Sequence, residues 1–368
     1  IAESHKRKLK VVLDGVFNHM GRHSPHLARA LADPKSKQRS WFYTGKQYAA
    51  GYRGWLGGTN LPVLDLDSAS LQEYIWKGKD SVIKTYLDLG IDGWRLDVAY
   101  EIGHEHLAEM RKAAHKAKPG SLVFGEIWGY PEGWFNSVDG QHNMLATDLA
   151  REMFNGAISG GQVGKIWNDL VTDAGIDNLL KCWIVADNHD TPRLPSQLPK
   201  FEDRQLMIAL MMTLPGCPNV YYGSELGMEG GGDPENRAPM RWDLNTADNQ
   251  TLAWTKKMIG IRGKNRALRF GDFHALQTEQ LFAFTRTSGY LKDSVVVVVN
   301  PTSKPITETF AHRIGKLMGW QEMKDSLSTE KVFQKSGLMT ITVPPKSIRI
   351  LTPVMTRKNG FSPTDRIK

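Results

Sequence analysis

Two charged side chains, Arg95 and Asp97, lie two positions apart in the apolar segment GWRLDVA at residues 93–99. Side chains alternate between the two faces of a strand, so these two point one way, while Trp94, Leu96 and Val98 point the other way. A buried carboxylate without a partner is costly. Either Arg95 and Asp97 only neutralise each other, or the site uses Asp97 for chemistry. This segment alone leaves both interpretations open.

Two more carboxylates follow other apolar segments, Glu126 in VFGEIWG and Asp190 in ADNHD. We expect Arg95 to keep the pKa of Asp97 low, and the apolar and aromatic neighbours of Glu126 to raise its pKa by desolvation. An ionised carboxylate and a protonated one, about 5–5.5 Å apart on either side of a bond, are what a retaining glycosidase requires. Each of these signals is weak when taken alone.

Strand-like apolar segments alternate with amphipathic helical segments over the first two-thirds of the chain, which predicts a parallel α/β fold. The predicted helices lie near residues 68–89, 101–116, 143–173, 201–213 and 249–262. Polar residues follow each predicted strand. In a closed eight-stranded barrel the catalytic groups come from the C-terminal ends of several strands, whereas a doubly wound sheet gathers its site at one switch point. Because no G-x-G-x-x-G follows a strand, the pattern favours the barrel.

From about Phe270 the pattern changes to short strands typical of an antiparallel sandwich. The sequence thus predicts a partial (β/α)8 TIM barrel over residues 1–268, with a short loop subdomain at about 20–60, and a C-terminal antiparallel β-sandwich over 269–356. Residues 357–368 are predicted to form an unpacked tail.

The composition is that of an ordinary globular enzyme, with 40% hydrophobic and 23% charged residues among 368. No apolar run approaches the roughly 20 residues that a spanning helix needs, so no membrane partner is predicted. The net charge is +8, but the basic residues are scattered without interleaved aromatic residues, and no nucleic-acid partner is predicted. Two cysteines are too few for a disulfide scaffold.

Four motifs in order resemble the signature regions of the α-amylase family of glycoside hydrolases: DGVFNH at 14–19, GWRLDVA at 93–99, GEIWG at 125–129 and NHDTPR at 188–193. The segment LPVLDLDS at 61–68 resembles an additional signature of the family. The segment from Pro218 to Asp243 resembles the one after barrel strand eight, and is most similar to the branch of cyclomaltodextrinases, neopullulanases and maltogenic amylases.

The resemblance implies a role for each matched residue. Asp97 would be the nucleophile, Glu126 the general acid and base, and Asp190 a ligand of the sugar hydroxyls that favours the distorted ring. The other implied contacts are sugar binding by His19 and His189, orientation of Asp97 by Arg95, and support from Asp14. Trp128 is a weak candidate for stacking on sugar, because aromatic residues belong to the core more often.

The resemblance implies no required cofactor. Asn18 matches a position that binds calcium in some relatives, whereas the loop from Met20 to Asn60 shows no cluster of oxygen ligands. Tyr100 stands where related sequences often have Asn, so the subsite preference of relatives does not transfer to this chain.

The function implied is retaining hydrolysis of α-1,4-glucosidic bonds in maltooligosaccharides, cyclodextrins, pullulan or starch. Transglycosylation by the same chemistry is one alternative, and a non-catalytic carbohydrate-binding or scaffold protein on an amylase-like barrel is another. A homodimer stays open, as does a cytoplasmic, periplasmic or secreted location.

Asp14 belongs to what the family places on its third barrel strand, and nothing before Leu9 can supply the first two. We therefore expect a barrel lacking about two strands, either because the chain is a fragment or because the missing part is supplied elsewhere. The strands near Val11–Asp14 and Asn219–Gly223 would then each lack a neighbour.

The dispersed positive charge generates a first prediction. Titration with duplex DNA or RNA at low salt should give no tight complex, because binding needs a continuous basic surface that releases counterions. A high-affinity complex that weakens steeply with added salt would contradict this reading.

Overall fold

The computed structural model describes residues 1–317 and 320–355, so the predicted tail at 357–368 lies outside the described residues. The chain forms two compact units. The first comprises residues 1–128 and 132–142, and the second comprises residues 129–131 and the chain from Asn143 onward. This division falls near residue 143 instead of 268, and the predicted domain boundary stays a prediction.

Short parallel strands organise the first unit: β1 (Val12–Gly15), β2 (Gly93–Leu96), β3 (Leu122–Gly125) and β4 (Gly140–Asn143). They pair in the order of the sequence, and Asp14, Arg95 and Phe124 are register partners across β1, β2 and β3. Strand β4 has the sequence GQHN and was not predicted, because it contains no apolar run. All four of its residues are nevertheless buried.

The helices of the first unit are α1 (Ala2–Lys6), α2 (Pro25–Ala32), α3 (Ala69–Gln72), α4 (Val82–Asp88), α5 (Ala99–Ile102) and α6 (His104–Ala117). A π-helical stretch, Glu73–Lys77, separates α3 from α4 in the segment predicted as one helix. Apolar residues of α2 to α6 and of the π-helical stretch share one core with the strands, in which Leu71, Trp76 and Ile83 are almost fully buried. This core fixes the sheet edge at which the polar residues emerge.

The second unit begins with β5 (Trp183–Val185) and β6 (Cys217–Asn219), which are parallel, and with the helices α7 (Leu145–Asn155), α8 (Gly160–Ala174), α9 (Ile176–Leu179), α10 (Leu194–Gln197), α11 (Phe201–Thr213), α12 (Gln250–Lys264) and α13 (Arg266–Phe270). The pattern predicted a single helix over 143–173. It is two helices, because Gly156 ends α7 at a φ of 79° and Ser159 starts α8 with a capping box.

An eight-stranded antiparallel sheet completes the second unit, in the order β10-β13-β12-β11-β14-β9-β8-β7. Its strands are β7 (Asp272–Ala275), β8 (Phe282–Thr287), β9 (Val295–Asn300), β10 (Ile306–Ala311), β11 (Trp320–Asp325), β12 (Lys331–Lys335), β13 (Leu338–Val343) and β14 (Ser347–Pro353). Apolar side chains from β8, β9, β10 and β13 share one core, as expected for a sandwich. Strand β9 carries five buried valines because both of its faces are covered.

The end strands of the predicted barrel each have one strand partner among the described residues. Strand β1 pairs with β2 in the first unit, and β6 pairs with β5 in the second.

Asp92 joins the start of β1 to the start of β2. Its Oδ2 accepts the Val11 N–H at 2.9 Å and lies 2.8 Å from His5 Nε2, and its Oδ1 accepts from Lys118 Nζ at 3.1 Å. The Val11 amide, helped by His5 and Lys118 against the effect of burial, holds the pKa of Asp92 well below its usual range. The Asp92 carboxylate therefore stabilises the fold in its ionised form.

We predict that Asp92→Asn lowers the free energy of unfolding at pH 7 by about 1–3 kcal/mol, because the amide loses charged hydrogen bonds. The folded-state pKa of Asp92 lies below its unfolded value of 3.8, so this stabilisation is present above that pH and is lost as pH falls through the folded value. Urea unfolding should therefore show wild type and variant converging in acid. Asp88→Asn, which alters an exposed carboxylate at the end of α4, is the matched control, and equal stabilities at pH 7 would contradict the prediction.

Candidate active site

Arg95 contacts three carboxylates at the C-terminal edge of the first unit's sheet. Its Nη1 lies 2.5 Å from Asp14 Oδ1 and 2.8 Å from Asp97 Oδ1, and its Nη2 lies 2.7 Å from Glu126 Oε1. The Glu126 contact is an ion pair without hydrogen-bond geometry. The guanidinium is nearly buried, so these charges interact through protein more than through water.

The strands place these groups together through their common register. Asp97 and Glu126 each follow the last residue of a strand, β2 and β3, and the parallel ladder continues beyond both ends. The Asp97 N–H donates to Gly15 O at 3.1 Å, and the Glu126 N–H donates to Leu96 O at 2.9 Å. Asp97 and Glu126 therefore emerge side by side, as predicted from their positions after two strands.

Val98 has a backbone conformation that β-branched residues rarely adopt, with φ 46° and ψ 43°. In this conformation its N–H donates to Glu126 Oε2 at 3.1 Å, while the Ala99 N–H donates to Glu126 O at 3.2 Å. Strained backbone of this kind concentrates at functional sites. The sequence carries no signal for this contact, because the donor is a main-chain group.

The expected pKa directions of the two carboxyl groups are both wrong. Desolvation by burial raises the pKa of Asp97, and the Glu126 charge adds to this increase against the Arg95 charge. Desolvation also acts to raise the pKa of Glu126. Four groups that stabilise its anion outweigh this effect, so its pKa is lowered: Arg95, the Val98 N–H, His142 and the Trp128 N–H. Both carboxylates contact Arg95, but the additional hydrogen-bond donors contact Glu126 alone.

His19 lies beside Asp97, with its Nε2 3.7 Å from Asp97 Oδ2, and its ring stacks on Trp55 at 5.3 Å. Burial lowers the pKa of His19 despite the charges of Asp97 and Glu101, so the ring is neutral at neutral pH. The Trp55 N–H donates to both carboxylate oxygens of Glu101 at 3.1 Å. Sequence reasoning missed Trp55 and Glu101 as site residues, and the acidic residue four positions after Asp97 was the available signal.

Asn18 has a direct protein partner. Its amide donates to Glu101 Oε2 at 2.8 Å. Within residues 1–317 and 320–355, no group of three or more His, Cys, Asp or Glu side chains could hold a metal ion. The calcium role of Asn18 stays a prediction.

Two half-exposed aromatic side chains flank the carboxylates. Trp128 is 43% exposed, and its indole N–H donates to Glu126 Oε1 at 3.2 Å. Burial raises the pKa of Tyr100, and the charges of Glu101, Glu126 and Asp97 raise it further. The Tyr100 hydroxyl therefore lies close enough to the carboxylates to interact with their charge. Trp41, by contrast, is fully buried in the core.

A cavity of about 520 Å³ opens beside this cluster within the first unit. Its walls include Asn18, Trp55 and Glu101, together with Tyr43 and Arg53 from the loop subdomain. The volume lies in the range of small-molecule sites. The loop predicted at about 20–60 therefore contributes to the lining of this cavity.

Asp190 and His189 lie in the second unit, on the loop after β5. Asp190 Oδ1 accepts from Arg237 Nη2 at 3.0 Å, and its Oδ2 lies 3.3 Å from His189 Nε2. The Arg237 Nε–H also donates to His189 O, as does the Asn236 amide. Sequence reasoning missed Arg237 as the partner of Asp190, although the segment containing it was singled out.

Residues 1–266 match the family model described as the catalytic domain of α-amylase. The chain therefore belongs to the α-amylase family, as the resemblance of its motifs predicted. Within the described residues, no helix is both long and apolar enough to cross a membrane. Enzymes of this family generally need no organic cofactor.

Among curated proteins, the chain is 29% identical to neopullulanase 2 of Thermoactinomyces vulgaris over 95% of its own length and 61% of that protein. It is 31% identical to a cyclomaltodextrinase of a Bacillus species over 80% of its own length and 55% of that protein. The chain thus spans somewhat more than half the length of these relatives.

Among solved structures, the chain is similar to the debranching enzyme of Nostoc punctiforme, with a TM-score of 0.83 and 26% identity over 95% of this chain and 77% of that one. A cyclic α-maltosyl-(1→6)-maltose hydrolase of Arthrobacter globiformis matches with a TM-score of 0.81 and 25% identity over the same shares. These matches confirm the predicted fold class, a barrel of the α-amylase type with a C-terminal antiparallel domain.

The hydrogen bond from Trp128 to Glu126 generates a prediction on pH dependence. Trp128→Phe removes a donor that stabilises the Glu126 anion, so the pKa of Glu126 should rise. If Glu126 is the general acid, the alkaline limb of kcat/KM should then move to higher pH. Trp134→Phe is the matched control, because the Trp134 ring stacks on His104. An alkaline limb that moves to lower pH, or not at all, would contradict this assignment.

Proposed function

We propose that the protein is a retaining α-glucan hydrolase in which Asp97 is the nucleophile and Glu126 the general acid and base. The observation that carries the proposal is the contact of both carboxylates with the one guanidinium of Arg95. A shared partner keeps the two groups within reach of one glycosidic bond, as the retaining mechanism requires.

In the first step, a carboxylate oxygen of Asp97 forms a bond to the anomeric carbon as the glycosidic C–O bond breaks. The proton of Glu126 passes to the leaving oxygen, and Glu126 becomes a carboxylate. In the second step, Glu126 takes a proton from water as that water attacks the anomeric carbon and releases Asp97. Arg95 stays charged throughout and balances whichever carboxylate is ionised.

In the free site the pKa of Asp97 is raised and that of Glu126 lowered, which is the reverse of what the first step needs. A sugar that excludes water from Glu126 strengthens its desolvation, and the positive charge that develops at the anomeric carbon stabilises the Asp97 anion. Substrate binding therefore shifts the pKa of each carboxyl group toward its role.

The remaining residues bind sugar in this proposal. His19, neutral and next to Asp97, is a hydrogen-bonding partner for hydroxyls of the reacting ring, and Trp128 offers an exposed aromatic face. Asp14 acts through Arg95, which it contacts directly. Asp190 and His189 bind sugar hydroxyls by family resemblance, and Arg237 holds Asp190 in position.

The substrate class follows from the relatives. A neopullulanase and a cyclomaltodextrinase are similar to most of this chain, so we propose pullulan, cyclodextrins and maltooligosaccharides as substrates. Solved relatives include a debranching enzyme and a hydrolase of α-1,6-linked maltosyl units. Assays should therefore include α-1,6 bonds beside α-1,4 bonds.

Transglycosylation is the second candidate, and the two exposed aromatic residues favour it. Tyr100 and Trp128 offer apolar faces next to the carboxylates, on which an acceptor sugar could compete with water for the covalent intermediate. The products from maltotriose separate the outcomes, because transfer forms chains longer than the substrate.

We predict that Asp97→Asn lowers kcat on cyclodextrin or maltotriose by roughly 10³-fold or more while sugar binding remains, because only bond formation needs the anion. Product analysis of the full-length protein gives kcat, and calorimetric titration with maltotriose gives binding. Asp80→Asn, an exposed carboxylate in the same unit, is the control.

Retention of a tenth of the wild-type turnover in Asp97→Asn would reject Asp97 as the nucleophile. A wild-type protein that binds maltotriose but cleaves none of the substrates would favour the non-catalytic alternative.

A further inference from the structure

A second cavity, of about 390 Å³, lies within the second unit between the helices α11 and α12 and the turn before β14. We name it the α12–β14 cleft. Its lining combines apolar side chains with charged and amide groups: Leu206, Leu327, Ile348, Gln205, Trp254 and Arg349. None of these residues belongs to the candidate active site. An apolar wall with a few convergent polar groups is typical of a ligand site.

The charges in the cleft argue against an anionic ligand. Lys346 Nζ lies 2.8 Å from Asp203 Oδ1 and donates to Phe154 O at 3.0 Å. Arg349 Nη1 lies 3.0 Å from Asp325 Oδ2, and its Nη2 pairs with Glu330. Because both cations already have carboxylate partners, the cleft suits a neutral ligand.

Hydrogen-bonding groups remain for such a ligand. Within the described part of the chain, the Gln205 side-chain amide and Glu330 Oε1 have no hydrogen-bond partner. An amide and a carboxylate oxygen together supply donors and an acceptor that match vicinal hydroxyls.

Trp254 supplies an aromatic ring at this cleft. Its indole N–H donates to Gln205 O at 2.9 Å, so the orientation of the ring is fixed and its polar edge is satisfied. The side chain remains partly exposed. A rigid ring of this kind offers contact area at little cost in conformational entropy, which suits the apolar C–H face of a pyranose.

Lys346 has a constrained backbone conformation at the edge of the cleft. Its backbone has a φ of 44°, a left-handed conformation that lysine rarely adopts. The Lys346 N–H donates to Thr302 O at 2.9 Å, and its ammonium is anchored as described above. A strained residue kept by several contacts is typical of a preorganised ligand site.

We propose that the α12–β14 cleft binds a short segment of neutral glucan chain and so holds polymeric substrate on the enzyme. That the sugar is an α-glucan rests on the proposed function. The polar and apolar lining, taken alone, indicates a neutral polyhydroxylated ligand. A second contact raises the effective concentration of a long chain at the enzyme, whereas it cannot help a substrate too short to reach both sites.

The test compares Trp254→Ala, Trp254→Phe and Tyr290→Ala in the full-length protein. Trp254→Phe keeps the aromatic ring and loses only the N–H, while Tyr290→Ala removes an aromatic residue that is 48% exposed outside the cleft. Each variant is also made with Asp97→Asn, and these inactive forms are run in native gels containing soluble starch. The active forms are assayed on soluble starch and on a chromogenic maltotrioside.

Trp254→Ala should abolish most of the retardation by starch and lower kcat/KM on starch by about 3- to 10-fold, with the maltotrioside unaffected. Trp254→Phe and Tyr290→Ala should behave like wild type. Gln205→Ala, which leaves the Trp254 ring in place, should also weaken the retardation by starch. It replaces Trp254→Ala as the test variant if Trp254→Ala is unstable.

Starch retardation and starch kinetics unchanged in both Trp254→Ala and Gln205→Ala would overturn the proposal, as would an equal loss on starch and maltotrioside. Failure of the proposed function has a different signature. In that case wild type cleaves neither substrate, while Trp254-dependent retardation by starch still supports a glucan-binding cleft.

Discussion

The buried guanidinium of Arg95 contacts three carboxylates, and the chemistry of the first unit follows from this excess of negative charge over positive charge. Burial acts to lower the pKa of Arg95, but the charges of Glu126, Asp14 and Asp97 outweigh burial. The pKa of Arg95 is therefore raised, and the guanidinium stays charged. A single positive charge cannot fully balance three negative ones, so the carboxylates compete for it. The pKa of Asp97 is raised while that of Glu126 is lowered, because Glu126 has the extra donors.

The two-residue period of β2 makes this arrangement compatible with a stable core. Arg95 and Asp97 face the carboxylates of the neighbouring strands, while Trp94, which precedes Arg95 and points to the opposite face, packs against Phe17 at 5.5 Å and Tyr86 at 5.7 Å. The apolar face anchors the strand to its covering elements, and the polar face is thereby held in register with β1 and β3. Packing on one face thus sets the geometry of charge on the other.

Elements with a strong apolar pattern were predictable, and groups defined by tertiary contacts were not. The sequence predicted β2, β3 and the helix α11 from their hydrophobic residues and the position of the carboxylates from strand ends. It missed β4, whose GQHN sequence is polar although buried. The direction of both pKa shifts was also missed. It depends on a main-chain N–H at Val98 and on His142 from β4, neither of which is visible as a neighbour of Glu126 in the sequence.

Arginine–carboxylate pairs recur in this chain, and the exposure of the carboxylate separates their roles. The Asp325 side chain is fully buried, and its oxygens accept from Arg349, Ser328 and two backbone N–H groups, so no lone pair is left for a ligand. Its role is to hold the turn after β11. Asp190 is also held by an arginine, Arg237, but its side chain is 36% exposed. A carboxylate that an arginine holds in position, and that still has free lone pairs, can accept hydrogen bonds from a sugar. By the same reasoning Glu330 can accept from a ligand, because among the described residues one of its oxygens has no partner, whereas Asp325 cannot.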